Sequence, residues 1–198
     1  MLIDGTDMAG KTTAAKNFVD ARSDAWEVRH NTLLNIPNTL SLIADDMVES
    51  GEYNRTTINL AYAASILADI DMFAWPRVNT IQESTSIVRS IGHAHINNDR
   101  HVEAVLVKAL ERFPEFDHSF YLTADKESRL ARLAMRANQS ENDRLIIKDS
   151  KRFFAIDDIA RSIAVDRFDA QVVDTSRMTE REVQEILEQE VLSPKSGA

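Results

Sequence analysis

The sequence contains no cysteine among its 198 residues. Disulfide bonds, thiolate metal sites and cysteine nucleophiles are therefore excluded. It also lacks any apolar run near the roughly eighteen residues that a membrane-spanning helix needs. No signal-peptide pattern precedes the first apolar segment. These absences predict a cytoplasmic protein that has no membrane partner.

Positive charge is scarce as well. The chain has 23 lysines and arginines against 32 acidic residues, which gives a formal net charge of −9 at pH 7. An extended nucleic-acid surface requires a basic face, so we do not expect a nucleic-acid partner. An anionic small molecule would have to be bound by a local cluster of arginines.

The first thirteen residues carry the spacing of a phosphate-binding loop: Gly5, four residues, then Gly10, Lys11 and Thr12. Glycines let backbone N–H groups approach phosphate oxygens, and the helix that begins near Lys11 adds its positive dipole end. We expect Lys11 to reach the β- and γ-phosphates and the Thr12 hydroxyl to bind Mg²⁺. The predicted phosphate-binding set is Gly5, Thr6, Asp7, Met8, Ala9, Gly10, Lys11, Thr12 and Thr13.

Short apolar segments typical of strands alternate with amphipathic helical segments along the chain. The strands are predicted at residues 1–4, 26–29, 77–82, 118–122 and 171–174, and the longest helical pattern covers residues 56–75. This alternation predicts a three-layer α/β sandwich with a parallel sheet of five strands. We expect one domain over residues 1–192 and a disordered tail over residues 193–198.

Ligands of such sheets bind at the carboxyl ends of the strands, and three charged residues are predicted near that edge. Glu83 ends a strand there, and it has two possible roles: holding the Mg²⁺ shell, or taking a proton from an acceptor hydroxyl. Arg89, one turn into the next helix, is expected to contact the acceptor. Asp7 lies inside the phosphate loop, where a negative charge is costly unless it points toward a sugar hydroxyl or a lysine.

A row of three arginines, Arg129, Arg132 and Arg136, follows the fourth strand at positions i, i+3 and i+7 of a helical pattern. A polar, turn-rich segment comes next. We predict a helical lid over residues 125–150 whose arginines neutralise the transferred phosphoryl group, with Arg144 as a further candidate. The pair His93 and His95 is not predicted to bind a metal, because zinc sites need three or four converging ligands.

The segment from Ile3 to Thr13 (IDGTDMAGKTT) resembles the opening of thymidylate kinases and, more broadly, of P-loop nucleoside and nucleotide kinases. The order of the later features is similar over most of the chain. The resemblance implies a kinase that uses ATP and Mg²⁺ to phosphorylate a small-molecule acceptor, a nucleotide or a nucleoside. It also implies a homodimer formed through the helix at residues 56–75.

The same resemblance implies roles for individual residues. Asp7 would face the acceptor's sugar hydroxyl, and Arg132 and Arg136 would serve the lid and the adenine side. Together with the residues predicted above from the loop and the strand end, the predicted catalytic set is Lys11, Glu83, Arg132 and Arg136. Asp174, Thr175 and Ser176 would flank the adenine.

The sequence departs from the family pattern on the acceptor side. Glu83-Ser84 stands where the family has an acidic residue followed by arginine, residues 62–66 contain no arginine, and Arg29-His30-Asn31 replaces an Arg-Glu-Pro-like loop. Either Arg29, His30 and Arg89 compensate, or the acceptor is an uncharged nucleoside or another hydroxyl compound. Two alternatives stay open: a kinase for a sugar or biosynthetic intermediate, and a regulatory ATPase. The chain lacks the Asn-Lys-x-Asp element that a guanine-binding switch would need.

Overall fold

Five short parallel strands form the middle layer of the fold in a computed structural model of the protein. The structure describes residues 1–34, 36–137 and 145–192. The predicted tail at residues 193–198 lies outside the described residues. So do Arg144 and residues 138–143, the polar segment of the predicted lid.

The strands are β1 (Leu2–Asp4), β2 (Trp26–His30), β3 (Asn79–Glu83), β4 (Ser119–Thr123) and β5 (Gln171–Asp174). Their order in the sheet is β2-β3-β1-β4-β5, and every neighbouring pair is parallel. β1 is therefore central, with Ile3 in register with Glu83 on one side and Phe120 on the other. This order places the residues that follow β1, β2 and β3 at one edge of the sheet.

Nine helices are described, and they cover both faces of the sheet. They are α1 (Lys11–Asp20), α2 (Thr39–Ser50), α3 (Arg55–Met72), α4 (Ser86–Ile96), α5 (Arg100–Leu110), α6 (Lys126–Met135), α7 (Leu145–Lys148), α8 (Ser150–Phe168) and α9 (Glu180–Leu192). None of the described helices is long and apolar enough to cross a bilayer.

The apolar core is divided into two layers by the sheet. Leu2 packs with residues of α3, α4, α5 and α8, whereas its neighbour Ile3 packs with residues of α1 and α9. Successive strand residues point to opposite faces, so β1 contributes to both layers. The predicted three-layer sandwich with a five-stranded parallel sheet is confirmed.

Local signals in the sequence account for several helix ends. The Asn38 side chain accepts a hydrogen bond from the Ser41 N–H at 3.0 Å and begins α2, which ends at Gly51 in the left-handed region. Before α9, Thr179 and Glu182 form a reciprocal capping box with bonds of 2.7 and 3.3 Å. These bonds fix where the flanking loops begin, including the turn that leads from β5 to the site.

Candidate functional site

The loop between β1 and α1 has a backbone that depends on glycine. Gly5, Met8 and Gly10 have φ values of 143°, 63° and 95°. A Cβ atom on Gly5 would lie 2.2 Å from the carbonyl oxygen of Leu122 in β4, far inside van der Waals contact. Glycine is therefore required where the loop passes over the sheet.

The amino end of α1 opens onto the same loop. Gly10 is its N-cap, and no described side chain caps the helix. The first turn contains no acidic residue and closes with the Ala14 N–H donating to the Gly10 carbonyl at 2.9 Å. Uncapped N–H groups and the helix dipole together make this end of α1 suited to an anion.

Lys11 folds back over the loop that precedes it. Its Nζ donates to the Thr6 carbonyl oxygen at 2.9 Å. Burial lowers the pKa of Lys11, while the nearby Asp7 carboxylate opposes that shift. A phosphate oxygen is a stronger acceptor for an ammonium group than a neutral carbonyl, so the loop can exchange one contact for the other.

A cleft of about 890 Å³ lies above the loop at the carboxyl edge of the sheet. Its walls come from the loop, from the ends of β2 and β3, from α4, from the end of α6 and from the turn before α9. Those parts contribute Asp7, Met8, Ala9, Gly10, Lys11, Thr12, Thr13, His30, Glu83, Arg89, Arg132, Arg136 and Thr175 to its lining. The structure thus brings most of the predicted site residues together.

Thr12 and Glu83 are in direct contact inside this cleft. The Thr12 hydroxyl donates to Glu83 Oε1 at 2.6 Å. The other carboxylate oxygen, Oε2, lies 2.6 Å from His30 Nδ1, yet it is buried and has no partner in hydrogen-bond geometry among the described residues. The Glu83 carboxylate therefore contacts Thr12 through one oxygen and His30 through the other.

This pair of oxygen donors fits a magnesium ion. Mg²⁺ prefers oxygen ligands and is usually held by one or two protein groups together with phosphates and water. A hydroxyl and a carboxylate meet that description, and the described residues contain no cluster of three or more histidine or acidic side chains that would hold a metal unaided.

Asp7 and Arg89 form an ion pair at the α4 side of the cleft. Arg89 NH1 donates to both carboxylate oxygens of Asp7, at 3.0 and 3.1 Å. Burial alone would raise the pKa of Asp7, but the charges of Arg89 and Lys11 outweigh it and hold that pKa below its ordinary value. The Asp7 carboxylate thus stays ionised and turned toward α4.

Arg132 joins α6 to the opposite side of the loop. Its NH1 donates to the Met8 carbonyl and to the Thr175 hydroxyl, both at 2.9 Å, and its NH2 donates to the Thr175 carbonyl at 2.8 Å. The Thr175 hydroxyl lies 3.0 Å from the Ala9 carbonyl oxygen. Arg132 and Thr175 therefore support the loop from the turn that follows β5.

Of three other predicted residues, one lies at the rim of the cleft and two do not line it. Arg136 is exposed at the rim of the cleft, past the end of α6. Asp174 does not line the cleft, and its carboxylate accepts from the Ser176 N–H at 2.9 Å. Arg29 pairs with Glu27 at 2.7 Å and lines a separate cavity of about 580 Å³.

Asp4 is a site-forming residue that the sequence did not single out. It is 2% exposed and accepts hydrogen bonds from the Gly5 N–H at 2.7 Å and from the Thr85 hydroxyl at 2.6 Å. It thereby ties the start of the loop to the start of α4. The sequence does carry a signal that could have identified Asp4: it is an acidic residue at the end of a buried strand, directly before a glycine.

Arg129 does not share the position of the other two arginines in the predicted row. Its side chain is 0% exposed, lies beneath the phosphate loop and pairs with Asp157 of α8 at 3.1 Å. Helical spacing placed the three arginines on one side, but Arg129 lies at the buried start of α6, whereas Arg136 has left the helix with extended backbone angles. The row is not a single lid surface.

The comparisons with known proteins bear on the fold. No protein-family model and no curated sequence matches the chain. Among solved structures, thymidylate kinase from Candida albicans superposes with a TM-score of 0.66 at 15% identity, covering 96% of this chain and 89% of that chain. The chain has the fold of P-loop nucleoside and nucleotide kinases.

A second neighbour extends this likeness over nearly the full length of both chains. Deoxyadenosine kinase from M. mycoides with bound dCTP gives a TM-score of 0.61 at 14% identity, covering 96% of this chain and 98% of that one. The same kinase with bound dATP gives 0.63 at 16% identity, covering 97% and 98%. At such low identity the likeness shows architecture, so the function must be argued from the site itself.

Proposed function

We propose that the protein is an ATP-dependent kinase that transfers the γ-phosphoryl group to a hydroxyl-bearing nucleoside or nucleotide. The observation that carries the proposal is the convergence, in one cleft, of the loop from Gly5 to Thr13, the uncapped start of α1, and the Thr12–Glu83 pair. The fold shared with nucleoside and nucleotide kinases supports it.

On the donor side, phosphoryl transfer needs alignment and neutralisation of charge more than covalent chemistry. Lys11 and the first N–H groups of α1 bind the phosphates of ATP. Thr12 and Glu83 would hold Mg²⁺, which would supply further positive charge. Arg136, at the rim, lies where a lid arginine can approach the transferred group.

On the acceptor side, two carboxylates, those of Asp7 and Glu83, line the cleft. Asp7, oriented by Arg89, accepts a hydrogen bond from an acceptor hydroxyl. As the alternative to holding Mg²⁺, Glu83 receives the proton of the attacking hydroxyl on Oε2. His30 contacts that oxygen and limits its movement.

We also propose that α3 takes part in a homodimer. Leu60 and Met72 of α3 are 43% and 63% exposed, and Leu42, Ile43 and Val48 of the adjacent α2 are also exposed. Exposed apolar side chains grouped on neighbouring helices are typical of subunit contacts. Light scattering coupled to size-exclusion chromatography should give twice the mass of the chain, and a monomer at all concentrations would contradict the proposal.

A substrate screen tests the kinase proposal. The protein is incubated with ATP and Mg²⁺ and with each member of a panel of nucleosides, nucleoside monophosphates, and sugars or other alcohols, and ADP release is followed. We expect at least one nucleoside or nucleotide to give turnover well above the ATP-only background. Turnover only with sugars or other alcohols would favour the alternative hypothesis of a kinase for a non-nucleoside acceptor. No turnover with any compound would refute both kinase hypotheses.

A further inference from the structure

The buried guanidinium of Arg129 uses every N–H donor it has. An arginine carries five such donors. Its Nε donates to the Ala124 carbonyl at 2.7 Å, NH1 to the Thr6 hydroxyl at 2.8 Å and the Asp7 carbonyl at 2.5 Å, and NH2 to Thr123 Oγ1 at 3.2 Å and Asp157 Oδ2 at 3.1 Å.

Asp157 is satisfied to a similar degree from the other side. Its Oδ1 accepts from the Thr6 hydroxyl at 2.6 Å and from the Tyr121 hydroxyl at 2.8 Å, and its Oδ2 accepts from Thr123 and Arg129. Thr6 and Thr123 each donate to the carboxylate and accept from the guanidinium. Acceptors and donors are therefore matched throughout the network, with Arg129 0% and Asp157 3% exposed.

The network contacts the phosphate loop at a position that fixes an amide direction. The Asp7 carbonyl belongs to the same peptide unit as the Met8 N–H, and in a trans peptide these two groups point in opposite directions. Because Arg129 holds the carbonyl oxygen beneath the loop, the Met8 N–H is turned away from Arg129. Met8 also adopts a φ of 63°, which a residue with a side chain rarely does without support.

Stability alone is a weak reason to keep such a pair. A buried ion pair is often no more stabilising than apolar residues of the same size, because both charges must be desolvated. This pair, however, links three parts of the site: the phosphate loop, α6 through Arg129 and α8 through Asp157. Its contacts with the loop are made to Thr6 and Asp7, upstream of Lys11.

We propose that Arg129 and Asp157 are positioning residues that hold the Thr6–Asp7 segment so that the loop's amides face the phosphates of ATP. The inference rests on the proposed function, since it names phosphate as the group that those amides bind. It assigns to the pair a role in nucleotide affinity in addition to its packing.

Four variants separate this role from a structural one. Arg129→Met and Asp157→Asn each leave the other charge buried without its partner, whereas the double variant removes both charges and keeps an amide oxygen that can accept from Tyr121 and Thr6. Arg129→Lys keeps a charge but offers only three donors. Arg161→Met is the matched control, because Arg161 lies on α8 in an exposed pair with Asp158.

For each variant, thermal stability and the dissociation constant for MgATP are measured, the latter by calorimetry, which needs no acceptor. We expect the double variant to melt closer to the wild type than either single variant, yet to bind MgATP at least tenfold more weakly. Arg129→Lys should bind with intermediate affinity, and the control should match the wild type. KM for ATP should rise more than KM for the acceptor.

The outcomes distinguish this inference from the proposed function. Failure of the wild type to bind MgATP would contradict the proposed function itself. If the wild type binds but both the double variant and Arg129→Lys bind within twofold of it, the positioning role is overturned. Should the double variant be too unstable to purify, the affinity of Arg129→Lys decides by the same criterion.

Discussion

The Thr12 hydroxyl donates to Glu83 Oε1 at 2.6 Å and so joins the phosphate loop to the end of the neighbouring strand. The two residues are 71 positions apart in sequence, and they meet because β1 and β3 are adjacent, with Ile3 in register with Glu83. The parallel sheet thereby brings together the two oxygen donors that we propose bind Mg²⁺.

Glu83→Gln is expected to lower kcat by about 100-fold and to raise the Mg²⁺ concentration needed for half-maximal rate. Glutamine keeps the size of the side chain but removes the charge that holds the cation or receives the proton. The protein should fold normally, because the amide oxygen of glutamine can still accept the hydrogen bond from the Thr12 hydroxyl. Magnesium titrations of initial rate measure this, with Glu190→Gln as control because Glu190 is exposed. An unchanged magnesium dependence would count against the assignment.

Gly5→Ala is expected to destabilise the protein by about 3 kcal/mol or more, because its Cβ would lie 2.2 Å from the Leu122 carbonyl oxygen. Gly51→Ala is the matched control. Gly51 also has a positive φ, 66°, but nothing lies within 4 Å of a Cβ there, so the cost should be only about 1 kcal/mol. Urea unfolding measures both, and equal costs would show that the loop does not press against β4.

Arg89→Gln is expected to raise the KM for the acceptor by about tenfold, because Asp7 loses the charged hydrogen bonds that orient it. Arg29→Gln should leave that KM unchanged, since Arg29 lines a different cavity. Steady-state kinetics with the acceptor found in the screen compares the two. A larger effect at Arg29 would mean that the acceptor enters from the other side of β2.

His93 should make stability depend on pH. Burial, reinforced by Arg89 and Arg152, lowers the pKa of His93 to about 4, from 6.5 in an unfolded chain. Between those values the unfolded chain binds more protons, so the free energy of unfolding falls as pH falls from 6.5 to 4, by about 3 kcal/mol at most.

His93→Gln should remove that part of the pH dependence, whereas His95→Gln should retain it because His95 is 58% exposed. Urea unfolding at several pH values between 7 and 4.5 provides the comparison. Parallel curves for the wild type and His93→Gln would show that His93 titrates normally.

The sequence was sufficient to predict the architecture because its signals are local. The loop spacing, the helix caps and the strand–helix alternation each depend on residues close in sequence, and the sheet follows from them. Glu83 could be placed near the phosphate loop because strand ends of a parallel sheet share one edge.

Other features of the site depend on contacts distant in sequence. Asp157 lies in the middle of α8, and no local pattern marks it as the partner of Arg129 and Thr6. Arg29 and His30 are adjacent in one strand, so their side chains must point to opposite faces. His30 reaches the cleft and Arg29 does not, which spacing alone could not decide.

The central claim is that Lys11 and its loop bind ATP for phosphoryl transfer. The most direct measurement is the rate of γ-phosphoryl transfer from labelled ATP to the acceptor panel by the wild type, by Lys11→Met and by Lys16→Met, whose exposed lysine lies on the same helix. We expect wild type and Lys16→Met to have equal rates, and Lys11→Met to lose about 100-fold or more. Transfer by Lys11→Met at the wild-type rate would contradict the account.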